Sequence, residues 1–347
     1  MSFLNNVIAG IDNTNIIATG ENSSEFSGSI DTGSYILNAA MSGSLYGGVP
    51  NNKITAFAGE SATGKTFFVL GVLKKFLDDN PDGGVIYFDT EAAVTKDMME
   101  TRGIDVNRVV ISEPQSIEEF RTNAVRMLTS YLDSKDQPPM MMVLDSLGML
   151  SSSKELEDVE SGKQTRDMTK SQLLRGTFRV LSLKLAKANV PLLVTNHVYD
   201  VIGSYIPQKE ISGGSGLKYA ASSIAMLTKK KDKDGTDVIG NIIKVTMHKS
   251  RFTKEQKKVE VKLSYDKGLD RYYGLLDLAE KYEIIKKVST RYEMPDGSKV
   301  FGKAINENPE KYFTDEIMAQ LEVAANAEFL YGQDDVEDKQ IEEVVGA

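Results

Sequence analysis

The chain has 347 residues, 41% of them hydrophobic and 26% charged, with a formal net charge of −9, enough to bury a large core in one big α/β domain with a smaller companion. It has no cysteine and only two histidines, His197 and His248, which excludes disulfides and thiolate metal sites and leaves too few ligands for a histidine-built metal cage. No apolar run approaches the roughly 20 residues of a membrane span, and the first six residues lack the basic start and apolar core of a signal peptide, so a cytoplasmic chain with no membrane partner is expected.

In chain order, residues 1–30 are rich in Asn, Ser and Gly with scattered apolar pairs such as Ile16 and Ile17. They read as an extended arm that is either partly disordered or docked on something else, a neighbouring subunit being one candidate. A helix-like segment over 35–41 and a glycine-rich turn over 43–48 lead to the apolar run 54–58. There follows Gly59, Glu60, Ser61, Ala62, Thr63, Gly64, Lys65, Thr66, an uninterrupted G-x-x-x-x-G-K-[ST], and then Phe67, Phe68, Val69 and Leu70. Strand, loop and helix in that order make a phosphate loop: the glycines let successive N–H groups turn toward phosphate oxygens, and the new helix aims its positive end at the same charge. Lys65 is placed to reach the β- and γ-phosphates and the Thr66 hydroxyl to be a magnesium ligand. A nucleoside-triphosphate site follows.

Phe68, Val69, Val72, Leu73, Phe76 and Leu77 recur at helical spacing until Asn80-Pro81-Asp82-Gly83-Gly84 stops the helix. The strand 85–88 then ends in Asp89-Thr90-Glu91, carboxylates at the strand edge where open parallel sheets hold ligands. After a strand at 109–111 and a helix over 117–132 comes Met140–Asp145, an apolar run capped by an acid, which suits the second magnesium-holding element of phosphate-loop ATPases. A helix with Leu174, Phe178, Leu181 and Leu185 on one face precedes a strand over 191–195 that ends in Asn196-His197. That pair can sense a γ-phosphate, or His197 can be a satisfied structural histidine. Residues 151–167 and 198–211 resist assignment as core and are expected to be long functional loops at the working edge of the sheet.

The negative charge argues at first against nucleic acid, yet its distribution is uneven. Residues 331–347 hold six acids against Lys339, so the body before them carries only −4; residues 229–258 hold ten Lys and Arg against four acids. The first stretch is expected to be an acidic disordered tail. The second is a basic surface, on charge alone equally a solvated hairpin face or a binding face.

The order GESATGKT, VIYFDTE, MMMVLDSLGML, PLLVTNH, ISGGSGLKYA and KVTMHKSRF resembles the RecA recombinases, and more closely the strand-exchange recombinases of T4-type phages. The similarity runs from about residue 31 to 321. It includes a stretch after Gly274 that is similar to the small C-terminal α+β domain of that family. The resemblance implies a RecA-type ATPase core with a mostly parallel sheet over 31–270, an N-terminal arm over 1–30, a small C-terminal domain over 271–330 and the tail over 331–347. It implies a DNA-dependent ATPase that uses ATP and Mg2+, polymerises on single-stranded DNA as a helical filament and exchanges strands with homologous duplex DNA, with a single-strand-binding protein and a loader as possible partners.

Residue by residue, it implies Glu91 as the base that orients the attacking water and Asp145 as the acid that supports magnesium. His197 stands where bacterial RecA has glutamine. Residues 151–167 and 198–211 correspond to the two DNA-binding loops, with Gly213 and Gly214 where backbone amides meet phosphates and Arg175 and Arg179 as DNA contacts. Lys249 and Arg251 fall where the family places two cations that reach the neighbouring subunit's γ-phosphate. Thr95 and Met98 replace the residues that frame the adenine. Two rival readings stand beside this one: a hexameric RecA-fold motor or helicase, and a nucleotide-binding regulatory assembly that needs no DNA.

Overall fold

The computed structural model describes residues 28–162, 169–200, 209–212 and 214–332. The expected tail from residue 333 and the arm up to residue 27 lie outside them, as does Gly213. Of the arm, Ser29–Ile30 (β1) is described, and it pairs antiparallel with Val49–Pro50 (β2) across helix α1 (Tyr35–Ser42).

The main sheet has ten strands among the described residues. Six run parallel, in the spatial order β5 (Val109–Ser112), β4 (Gly84–Asp89), β6 (Met140–Asp145), β7 (Leu192–Asp200), β3 (Ile54–Gly59) and β9 (Ser223–Asp234). Strands β10 (Asp237–Ser250), β11 (Lys258–Ser264) and β12 (Gly268–Leu269) continue it antiparallel, and β8 (Lys209–Ile211) pairs with the far end of β7. A mostly parallel α/β sheet is what the alternation of apolar runs and helical repeats implies.

The central strands are buried on both faces, and their side chains sort by parity. Phe57, Val85, Tyr87, Met141, Val143 and Leu193 join one core with Phe68, Val72 and Phe76 of helix α2 (Lys65–Asp79). Ala56, Ala58, Phe88, Met142, Leu144 and Val194 join the other, with Phe120 and Leu128 of α4 (Ile117–Asp133) and Leu174, Phe178 and Leu185 of α6 (Lys170–Ala188). Burying each such Phe or Leu contributes about 1.5–3 kcal/mol. The short helices α3 (Lys96–Glu100), α5 (Ser153–Glu160) and α7 (Ser215–Ala220) lie in the connections that follow β4, β6 and β8.

Two sequence expectations change. The strand read as 191–195 continues to Asp200, because residues 198–200 find a ladder partner in β8. The loop read at 151–167 begins with α5: the Ser152 hydroxyl accepts from the Glu155 amide at 3.0 Å, an S-x-x-E start that outweighs the polar composition. Residues 163–167 and 201–208 of the two expected loops lie outside the described residues.

After Tyr272 come α8 (Leu275–Lys281), a three-stranded antiparallel sheet of β13 (Lys286–Val288), β14 (Arg291–Glu293) and β15 (Lys299–Phe301), then α9 (Gly302–Glu307), α10 (Pro309–Tyr312) and α11 (Asp315–Phe329). The buried face of α11, Ile317, Leu321, Ala324 and Phe329, belongs to the same core as α1 and α2. Polar contacts fix the docking. Glu322 accepts from the Leu45 amide at 2.7 Å, and Glu328 accepts from Lys257 at 2.8 Å, from the Tyr282 hydroxyl at 2.9 Å and from Lys281. Burial pushes the Glu328 carboxyl up, but these donors outweigh it and hold it below the usual carboxylate range.

A carboxyl depressed by folding stabilises the native state above its unfolded pKa, and that stability is lost as pH falls through the folded value. Glu328→Gln should therefore lower stability by about 1–3 kcal/mol at neutral pH. The gap to the wild type should begin to narrow once pH drops below about 4, where the unfolded carboxyl is protonated, and vanish only below the depressed folded value. Denaturant unfolding at pH 7 and pH 3.5 checks this; an equal gap at both would remove the assigned role.

Candidate nucleotide and nucleic-acid site

The site is built by strand register. In the parallel ladder Gly59 of β3 stands beside His197 of β7, and Asp89 of β4 beside Asp145 of β6. Met142 and Leu144 of β6 pair with Leu192 and Val194 of β7, so Gly59 and His197 stand two residues beyond Asp145, and the phosphate loop, two acids and the histidine leave the sheet at the same edge. In an open α/β sheet this carboxyl edge is where ligands sit.

Within the loop, Gly64 has φ 93° and Ala62 φ 57°, the left-handed turns that let the chain fold over an anion. The Thr63 hydroxyl donates to the Glu60 carbonyl at 2.9 Å. Lys65 donates to the carbonyls of Gly59 at 3.1 Å and Glu60 at 2.8 Å. Burial pushes the Lys65 amine down, while Glu91 and Asp145 nearby pull it back up. Two further lysines touch the loop: Lys229 of β9 donates to the Ala62 carbonyl at 2.6 Å, and Lys209 of β8 pairs with the Glu60 carboxylate. Part of the basic stretch 229–258 thus faces the loop of its own chain.

Asp145 is 6% exposed. Its Oδ2 accepts from the Thr66 hydroxyl at 2.8 Å and from the Tyr87 hydroxyl at 2.7 Å, and its Oδ1 accepts from the Thr195 hydroxyl. The Glu91 Oε1 accepts from the Ser146 hydroxyl at 2.7 Å and lies 3.0 Å from His197 Nε2. Burial raises the Glu91 carboxyl, but the Ser146 and His197 contacts and the Lys65 charge together hold it below its ordinary range. The turn that carries Glu91 is fixed by Asp89, which accepts from the amides of Glu91 and Val94 at 3.0 Å each. Reciprocal bonds of 2.8 Å between Thr90 and Ser146 tie the ends of β4 and β6.

The residues fit a hydrated divalent cation that arrives with phosphate. Thr66 and Asp145 are hard oxygen donors, and among the described residues Asp145 forms no ion pair. Among the described residues no cluster of three or more His, Cys, Asp or Glu is arranged for a metal.

The other expected residues lie apart from this group. Met98 is in α3 behind the Thr95 cap, whose hydroxyl accepts from the Met98 amide at 3.2 Å; the Met98 carbonyl accepts from Arg102 at 2.8 Å. Lys249 donates to the carbonyls of Lys218 and Ala221 at 2.7 Å each and of Tyr219 at 3.2 Å, and Arg251 to Tyr219 at 3.4 Å. Both cations rest on the C-terminal end of α7, where carbonyls lack helical partners. Arg251 also lines a cleft of about 410 Å³ with Arg175, Arg179, Gly216 and Tyr219. Residues expected to meet DNA and a residue expected to meet a neighbour's phosphate therefore share one basic cleft. Gly214 starts α7 at φ 71°, where an added Cβ would lie 2.7 Å from the Ser171 hydroxyl.

Sequence reading missed Tyr87, Thr195, Ser146, Lys209 and Lys229. Strand parity was the available signal for the first two, since residues 87, 145 and 195 fall on one sheet face once the register is known; Lys229 was marked only as the start of the basic stretch, and Lys209 carried no signal.

Fold and site define a phosphate-loop α/β protein with its ligand edge at the carboxyl ends of β3, β4, β6 and β7. The chain belongs to the RecA family: the RecA N-terminal domain matches residues 3–270. It is 30% identical over 253 residues to the recombination and repair protein of Enterobacteria phage T4, covering 73% of this chain and 63% of that one. It thus aligns with less than two thirds of the phage protein's length. It is also 28% identical over 293 residues to the RecA protein of Malacoplasma penetrans (strain HF-2), covering 82% of this chain and 84% of that one. No helix among the described residues is long and apolar enough to cross a membrane.

A Cβ on Gly59 would lie 2.6 Å from the Thr63 hydroxyl and 2.8 Å from the Leu227 carbonyl, whereas one on Gly71 in α2 meets nothing within 4 Å. Gly59→Ala should cost about 1–3 kcal/mol of stability and weaken nucleotide binding. Gly71→Ala should stabilise the protein by roughly 0.5–1 kcal/mol. Chemical denaturation of both variants checks the pair, and a Gly59→Ala midpoint equal to the wild type would contradict the tight packing behind the loop.

Proposed function

We propose that this protein is an ATP-dependent homologous-recombination protein that forms filaments on single-stranded DNA and catalyses pairing and strand exchange with homologous duplex. The observation that carries the reading is the convergence of Lys65, Thr66, Asp145, Glu91 and His197 at one sheet edge in a RecA-family chain. The names of its relatives, a phage recombination and repair protein and RecA proteins, support it.

In this reading the loop amides from Gly59 to Thr66 cradle the phosphates, and Lys65 leaves the Gly59 and Glu60 carbonyls to meet the β- and γ-phosphates. Thr66 and Asp145 would hold Mg2+, which would supply charge neutralisation on the transferred phosphoryl group. Glu91, kept ionised at neutral pH, orients the attacking water and accepts its proton. His197 rests on Glu91 before the triphosphate arrives and exchanges that contact for the γ-phosphate, passing the state of the nucleotide along β7 to the segment that follows Asp200. Lys249 and Arg251 complete the site of the adjoining subunit, so hydrolysis depends on assembly. Arg175, Arg179, Gly213 and Gly214 hold DNA phosphate, and many subunits on one strand multiply modest contacts despite the negative net charge. The host cytoplasm is the matching compartment.

Two measurements test this. Glu91→Gln should bind nucleotide and single-stranded DNA yet hydrolyse ATP about 10²–10⁴-fold more slowly; wild-type turnover would show that Glu91 is not the base. Lys249→Ala with Arg251→Ala should abolish DNA-stimulated hydrolysis without loss of nucleotide binding. Mixing that double variant with Glu91→Gln should restore part of the activity at junctions that pair an intact site with intact cations, and no restoration at any ratio would count against a site shared between subunits.

A further inference from the structure

The acid at the end of β6 is held in an unusual way for a buried charge. Asp145 is almost fully buried, and among the described residues no lysine or arginine forms an ion pair with it, although the Lys65 charge lies near enough to be felt. A buried carboxylate has to be compensated, and here three hydroxyls do it from three different elements: Thr66 from α2, Tyr87 from β4 and Thr195 from β7. Thr66 is the hydroxyl proposed to ligate the cation. Tyr87 and Thr195 have no part in the reaction as proposed above.

We infer that Tyr87 is a positioning residue for the cation site, its fully buried hydroxyl fixing Asp145 Oδ2 so that the carboxylate is already oriented when Mg2+ and nucleotide arrive. The reasoning is geometric. Residues 87, 145 and 195 lie on the same face of three adjacent parallel strands, with Tyr87 one pleat below Asp89, the ladder partner of Asp145. The Tyr87 ring is packed between the sheet and α2, so its hydroxyl has a set position. Oδ2 has two donors and Oδ1 one. Without the phenol, Oδ2 would be held by Thr66 alone, whose hydroxyl would have to keep its hydrogen on the carboxylate while its lone pair turns to the metal, so one bond would carry the whole orientation of that oxygen. Partners one shell outside a metal site commonly set its affinity in this way.

The inference rests on the nucleotide-site reading, and the experiment separates the two. Binding of a fluorescent, non-hydrolysable ATP analogue is titrated with Mg2+ for the wild type, Tyr87→Phe and Thr195→Val, and each protein is also measured in excess EDTA. Tyr87→Phe keeps the ring and removes only the hydroxyl. Its Mg2+ midpoint should rise about 10-fold, with metal-free analogue affinity equal to that of the wild type. Thr195→Val, which frees Oδ1, should shift the midpoint in the same direction and serves as the second probe should Tyr87→Phe fold poorly. A Tyr87→Phe midpoint equal to the wild type overturns the inference alone, as does a parallel loss of metal-free binding, which would mark a merely structural hydroxyl. A wild type that binds no analogue, or binds it without regard to Mg2+, overturns the nucleotide-site reading and this inference with it.

Discussion

Parallel register is the constraint on which the site depends. Strands β3, β4 and β6 end, and β7 passes, at one edge of the sheet, where the ladder sets Gly59 beside His197 and Asp89 beside Asp145. A slip of one residue in any of them would turn its whole side-chain set to the opposite face. The apolar alternation prevents that. Val85, Tyr87, Met141, Val143 and Leu193 suit the α2 side, and Phe88, Met142, Leu144 and Val194 suit the α4 and α6 side. The chemistry at the strand ends is therefore held by packing several residues away from it.

The polar groups at that edge are arranged around charges that are only half compensated. Lys65 is held by two carbonyls and Asp145 by three hydroxyls, neutral partners that satisfy hydrogen bonds without cancelling charge. Such a site stays folded by itself yet gains most when a complementary ion arrives, because direct ion pairs between its own members would have to be broken first. Glu91 differs: its contacts to Ser146 and His197 tie it to the end of β6 and to β7. The carboxylate proposed as the base is thereby linked to the strand that leads toward a proposed DNA loop, which is a physical route by which DNA and nucleotide could feel each other.

A second meeting of roles occurs at α7. Its C-terminal carbonyls hold Lys249 and Arg251, and Arg251 shares a cleft with Arg175 and Arg179. The short helix thus carries both cations on its last carbonyls and lines the arginine cleft with Gly216 and Tyr219. The stretch after Tyr272 is fastened just as firmly. Glu322 and Glu328 bond to groups beside α1 and β11, and Phe329 lies in the common core. This C-terminal stretch is thus carried with the sheet and not merely strung behind it.

Local signals carried much of this in the sequence itself. G-x-x-x-x-G-K-T after an apolar run, acids closing the strands at Asp89 and Asp145, and helical repeats from Phe68 to Leu77 and Leu174 to Leu185 depend on neighbours within a few residues, so the phosphate loop, the parallel α/β architecture and the family were legible. The polar run 151–167 misled because composition spoke louder than the Ser152 cap, and β7 was read short because its last partner, β8, lies beyond an intervening segment. What only the tertiary structure decided are contacts between residues far apart in the chain: the hydroxyls of Tyr87 and Thr195 on Asp145, Ser146 on Glu91, Lys229 and Lys209 on the loop, and Arg251 beside Arg175 and Arg179. None has a local pattern to mark it, because each follows from which strands are neighbours and in what register, and that is settled by the packing of the whole sheet.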